Sequence, residues 1–326
     1  MTTTTTGGVL AYRSGPQAWD PPAGVVDHNG DPLEPGWTFF RPPAAEIGDL
    51  LSAHSTLKAG EAGWSALARV GLVLGILGLE AVLMAGVILA KGRAAEDAVL
   101  IAAGVGLFVA PVAALIAFRR TRFTRTCSYV GRDGAVRYTL RGSTSAEPAA
   151  KQLLFASATE LRTKLTRVNT HGVYSHTDYR YAWVDARGKE VLRFGGHFRS
   201  HDDPPPKSHL YWFARAAEAA WTHHLMPAAM RQLATTGYVQ FNRKGGNFVR
   251  VGPGFFEFGG ARGDVARIEA AEIKSLFLAD GTFHVEHVDA RWYSRKGKFQ
   301  MRYANLANAQ LFLAVTERLT GYRVGG

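Results

Sequence analysis

Tyr181-Ala-Trp-Val-Asp-Ala-Arg-Gly-Lys-Glu-Val-Leu-Arg-Phe194 aligns without a gap to Ala290-Arg-Trp-Tyr-Ser-Arg-Lys-Gly-Lys-Phe-Gln-Met-Arg-Tyr303. Trp183/Trp292, Gly188/Gly297, Lys189/Lys298 and Arg193/Arg302 are identical. Arg187/Lys296, Leu192/Met301 and Phe194/Tyr303 are conservative. In each copy a Gly-Lys pair separates two runs rich in aromatic and branched residues, which reads as a β-hairpin turning at Arg/Lys-Gly-Lys. A repeat of this kind means that one supersecondary unit is built twice.

Working outward, the two copies stay in step. Tyr129-Val130 with Gly134–Tyr138 parallels Phe248-Val249 with Gly254–Phe258, a second hairpin with a glycine turn. Glu160-Leu161 and Glu272-Ile273 follow the short apolar runs Leu153–Ala156 and Val265–Ile268. Each copy closes with an amphipathic helix, His209–Leu225 and Leu306–Leu319, and the Pro204-Pro-Pro206 loop lengthens only the first. The units are placed at 122–225 and 236–322, each a run of short antiparallel strands closed by one helix. This order resembles the bacterial pleckstrin-homology-like (PH-like/GRAM-type) domains in tandem. The resemblance implies two small α+β domains that bind lipid headgroups or peptides at their open hairpin ends, without catalysis.

Between the N-terminal stretch and the first unit lie two apolar runs of 21 residues, Val70–Ala90 and Ala98–Phe118, separated by Lys91–Asp97. At about 1.5 Å per residue each run would be roughly 31 Å long, a bilayer's hydrocarbon thickness. The fold class expected is therefore a membrane protein: a transmembrane hairpin over 70–118 carrying the two α+β domains. Arg119, Arg120, Arg122 and Arg125 follow the second run, Lys58 and Arg69 precede the first, and only Lys91 and Arg93 lie in the loop. Positive-inside asymmetry places both termini in the cytoplasm of a multi-pass inner-membrane protein. Gly71, Gly75 and Gly78 share a small-residue stripe expected to seat the second helix, with Glu80 opposite. A carboxylate at mid-membrane would be a functional or oligomer contact. Pro111 would kink the second helix.

Residues 1–45 are poor in aliphatics and rich in Thr, Gly and Pro, and read as a disordered acidic tail interrupted by Trp37-Thr-Phe-Phe40. A juxtamembrane helix is expected over 46–69, with Ile47, Leu50, Leu51 and His54 near one face. No basic or apolar leader starts the chain, so no cleavable signal peptide is read. The lone Cys127 excludes an intrachain disulfide and reads as a small buried hydrophobe.

The net charge of +11 is unevenly spread: residues 1–68 hold 3 Lys/Arg against 7 Asp/Glu, and 119–326 hold 32 against 17. A basic C-terminal region calls for an anionic neighbour. The candidate lipid- or anion-binding residues are Arg119, Arg120, Arg122 and Arg125 beside the membrane, with Arg187, Lys189, Arg295, Lys296 and Lys298 on the two repeated tips. His284-Val-Glu-His287 does not converge on a strand and lacks the helical zinc-hydrolase spacing. No cofactor, metal or catalytic motif is read, and the chain is not expected to be an enzyme or to bind nucleic acid. The function expected is a membrane-anchored scaffold contacting anionic lipids or a protein partner, or acting as a homo-oligomer. The alternative is a membrane complex subunit forming a pore with Glu80 inside. In the first case the acidic tail would be a candidate ligand for the basic units.

Overall fold

The computed structural model describes residues 19–58, 66–91, 111–117, 124–142, 147–199, 204–260, 263–279, 281–291 and 297–322, with α1 side chains described over 70–83. The chain builds the same arrangement twice. In the first unit β1 (Leu50–Ser55), β2 (Thr124–Gly131), β3 (Gly134–Arg141) and β4 (Ala149–Leu154) form one antiparallel meander. A second follows in β5 (Glu160–Thr170), β6 (Val173–Val184) and β7 (Glu190–Phe198), closed by helix α2 (Leu210–Thr236). The second unit repeats this with β8 (Val239–Arg243), β9 (Asn247–Gly252), β10 (Phe255–Gly259) and β11 (Val265–Glu269). Then come β12 (Ile273–Ala279), β13 (Thr282–His287), β14 (Lys298–Arg302) and helix α3 (Ala309–Thr320).

Alternation decides which faces are buried. On β5, Leu161 and Thr163 point inward while Arg162 and Lys164 point out, the period of two that a half-buried strand requires. Trp183, Tyr181, Phe194, Phe213 and Trp221 pack between the sheets and α2 as the first core. Val249, Val251, Phe256, Phe283, Met301 and Phe312 form the corresponding second core. Each three-stranded sheet starts directly after a single 3₁₀ turn, Phe155–Ser157 or Ala270–Glu272.

Helix α1 (Ala66–Lys91) leaves the sheet after β1, and the chain returns to pair β2 beside it, Ala53 opposite Tyr129 and His54 opposite Ser128. The apolar segment is thus an insertion inside one sheet. Here the membrane expectation is overturned: among the described residues no helix is long and apolar enough to cross a membrane. Of the second apolar run, only residues 111–117 are described, as helix. The transmembrane hairpin, its multi-pass inner-membrane localisation and the pore alternative are accordingly withdrawn. The apolar count along the chain gave two spans; α1 holds the first run in one helix, yet among the described residues no helix meets the combined length and apolarity that crossing needs. Gly71, Gly75 and Gly78 are exposed, and among the described residues nothing lies within 4 Å of a Cβ built on any of them. Most of the second run, the partner expected for this stripe, lies outside the described residues. Glu80 is half-buried on α1.

Three element expectations also change. The segment read as a helix over 46–69 holds strand β1 instead, because Ser52, Ala53, His54 and Ser55 are buried on both faces of a paired strand. Of residues 1–45, read as disordered, those from 19 on are packed: Phe39 and Phe40 join Ile47, Ala53, Cys127, Tyr129, Val136, Tyr138 and Leu140 in a third cluster. That cluster covers the face of the first sheet opposite α2. Finally, α2 continues past Leu225 through Pro227 and stops only at Gly237, whose φ of 78° supplies the left-handed cap. The second repeat differs from the first at its tip, because β13 ends at His287 and β14 starts at Lys298.

Candidate functional site

The two units meet along β5, α2, β8 and the start of α3, and one residue holds much of that junction. Asn308 occupies the N-cap of α3 with φ 55° and ψ 44°, and its side chain does not cap the helix. Its Oδ1 instead accepts from the Leu161 N–H at 2.7 Å and the Trp221 Nε1–H at 2.9 Å. Its Nδ2 donates to the Thr159 carbonyl at 3.2 Å, and its own N–H donates to the Leu161 carbonyl at 2.8 Å. Asparagine tolerates the left-handed region better than most residues, so this position supplies both the backbone shape and the bonds.

Beside this junction opens a cleft of about 650 Å³. Its walls are Glu160 and Arg162 of β5, the Asp185–Gly188 turn, α2 around Ala228 and Gln232, strand β8, and the Ala307-Asn308 corner. Carboxamides of Gln232, Gln240, Asn242 and Asn308 share the polar lining with the charges of Glu160, Arg162, Asp185 and Arg187, above an apolar floor that includes Leu225, Phe241 and Leu311. Glu160 spans it: Oε2 accepts from Arg162 Nη2 at 2.8 Å and Oε1 from Asn242 Nδ2 at 3.0 Å. The Asp185 carboxylate accepts the N–H groups of Arg187 at 2.9 Å and Lys189 at 2.8 Å, and Gly188 takes φ 77°. This chemistry makes Arg-Gly-Lys a tight turn and aims the tip at the cleft.

Strand β8 is the end strand of its sheet. The Asn242 carbonyl accepts from Ala307 N–H at 2.9 Å across that edge. Backbone groups two residues apart on a strand point the same way, so the Gln240 peptide groups face the same edge. Residues 305–307 already pair the far half of that edge, Arg243 bridging Leu306 and the Lys244 N–H donating to the Asn305 carbonyl at 2.8 Å, so the stretch at Gln240 is what an added strand can pair.

Four of the residues expected from sequence to bind anions are described, and they fall on three elements. Arg187 lines the cleft and Lys189 leaves the same turn; Arg125 lies on β2 and Lys298 begins β14. Arg119, Arg120, Arg122, Arg295 and Lys296 lie outside the described residues. The structure brings together Arg187 with Glu160, Arg162, Asn242 and Asn308, none of which was singled out from sequence as binding. Only the Glu160-Leu161 landmark hinted at the place. His284 stacks on Phe277 at 4.8 Å, Glu286 meets Ser275 at 3.3 Å, and His287 lies 3.6 Å from Glu272, so the His-Val-Glu-His stretch is divided among three neighbours.

The acidic stretch is likewise engaged elsewhere. Asp27 is buried against His54 at 2.9 Å, and Asp31 meets Lys207 at 2.7 Å, which lies 3.7 Å from Glu34. Beside this pair, His28 is wedged between Ser52 at 2.8 Å and Ser128 at 2.9 Å, with its ring on Phe213. Burial, helped by nearby His54, holds His28 down at about 3. No protein-family model matches the chain, and no curated protein is similar enough to it to count as a relative.

Proposed function

We propose that this chain is a non-catalytic binding module of two pleckstrin-homology-like units, and that it captures an extended segment of a protein partner in the cleft between them. The element order supports the class: each unit is a four-stranded meander, a three-stranded meander and a closing helix. The observation that carries the ligand is the β8 edge lying in the wall of a cleft rich in carboxamides. Backbone amides of an added strand find partners at the Gln240 stretch of that edge, and the Gln232 carboxamide, the Gln240 Nε2 and the Asn242 Oδ1 offer further donors and acceptors to it. Anionic headgroups are less well served, because Arg125, the Arg187–Lys189 turn and Lys298 sit on three separate elements of two units.

Peptide display against the full chain tests this, with Ala228→Trp as the counter-selection. Ala228 is an exposed lining residue on α2, so tryptophan there fills the cleft without disturbing either core. Peptides should enrich on the parent chain and lose binding to the variant. No enrichment, or enrichment indifferent to Ala228→Trp, would refute the cleft as the site.

A further inference from the structure

Taking the cleft as the partner site, we propose that the captured segment is acidic and that its carboxylates lie on the outward face of β5–β7. Arg162 belongs to both places: it lines the cleft and it starts a row of cations on that face. The register sets Arg162 beside Ala182 and then Arg193, and sets Lys164 directly opposite Arg180.

Two like charges directly opposed on neighbouring strands weaken a sheet, and among the described residues only the Arg180 member of this pair has a carboxylate partner. Arg180 meets Glu190 at 2.8 Å, Arg193 shares the same carboxylate at 3.5 Å, and Arg162 takes Glu160 at 2.8 Å. Asp178, further along β6, faces His176 at 3.3 Å. Among the described residues no carboxylate lies within ion-pair distance of Lys164. On the part of the face nearest the cleft three arginines therefore share two glutamates, and Lys164 adds a fourth cation with no carboxylate of its own among the described residues.

The third strand leaves this row bare. Gly195 pairs Arg180 and is exposed, and a Cβ there would come within 3.2 Å of the Tyr179 carbonyl oxygen. The bare backbone lets another chain lie close to the Lys164 and Arg180 heads. Cations spaced along two strands, rather than converging on one point, suit carboxylates spread along a peptide better than a single phosphate. The excess charge also continues around the turn to Arg187, at the mouth of the cleft.

The experiment uses the full chain and a fluorescein-labelled deca-glutamate followed by anisotropy. Lys164→Glu, which gives Arg180 an opposite charge and so does not threaten folding, should weaken binding about tenfold, with steep loss as salt rises. Lys274→Glu, an exposed charge on β12 of the second unit, should change it less than about twofold on the scale of exposed pairs. Equal effects of the two reversals, no deca-glutamate binding, or Lys164-dependent binding only to phosphatidylglycerol vesicles would each overturn the acidic-segment proposal. Display peptides that still require an open cleft but ignore Lys164→Glu would refute this inference alone. Peptides indifferent to Ala228→Trp would refute the cleft reading beneath it.

Discussion

Replacing Asn308 by alanine should loosen the junction of the two units more than any other single exposed-to-buried contact between them. The Asn308 side chain satisfies two donors, Leu161 N–H and Trp221 Nε1–H, and bonds the Thr159 carbonyl. Leu161 and Trp221 are 2% and 1% exposed, so water does not readily replace the lost acceptor. Each stranded donor costs about 1–3 kcal/mol. Alanine at φ 55° adds about 1 kcal/mol of backbone strain. Together these give a loss of about 3–5 kcal/mol, allowing for partial relaxation. Glycine at this position removes the same bonds without the strain, and aspartate keeps the acceptor but loses the donor to Thr159. The expected order of stability is asparagine, then aspartate, then glycine, then alanine. Urea unfolding followed by tryptophan fluorescence measures it, since Trp221 itself reports the junction. The alanine variant should also unfold in two separated steps as the units uncouple. A loss under about 1 kcal/mol, or glycine as stable as asparagine, would show that Asn308 does not hold the units together.

Two further outcomes follow from the N-terminal packing. Phe39 is 4% exposed within the cluster over Tyr129 and Cys127, so Phe39→Ala should cost about 3–5 kcal/mol in the same assay; a near-neutral result would mean that residues 19–47 are dispensable to the fold. His28 stays neutral in the folded chain down to about 3, while in the unfolded chain it takes a proton near its ordinary 6.5. Between those values the unfolded state binds more protons, so its contribution makes stability fall as pH falls, by up to about 1.4 kcal/mol per unit. His28→Asn should flatten the dependence measured between pH 7 and pH 4.5, and parallel curves for the two proteins would refute the assignment.

Much of the local structure was legible without coordinates. Tyr129–Tyr138, Phe248–Phe258 and Tyr181–Phe194 announce their hairpins through period-two alternation and glycine turns, and these signals lie within a few residues of one another. The duplication made the closing helices legible as well. What stayed hidden depends on partners distant in sequence. The composition of residues 19–47 looked too poor in aliphatics to fold, but its aromatics cover a sheet face that exists only once β1 has paired β2 across the inserted apolar segment. Apolar run length suggested two spans, whereas among the described residues no helix is long and apolar enough to cross a membrane.

The cleft was hidden for the same reason. Asn308 reaches Leu161 across 147 positions, and Asn242 reaches Glu160 across 82. Nothing in the neighbourhood of either asparagine distinguishes it from an ordinary cap or turn residue. Residue type and spacing determine which strands and turns can form, because those energies are local. Which edges meet, which polar groups are left to satisfy one another and where a cavity remains are settled by packing two complete units together, and that information resides in no single stretch of the chain.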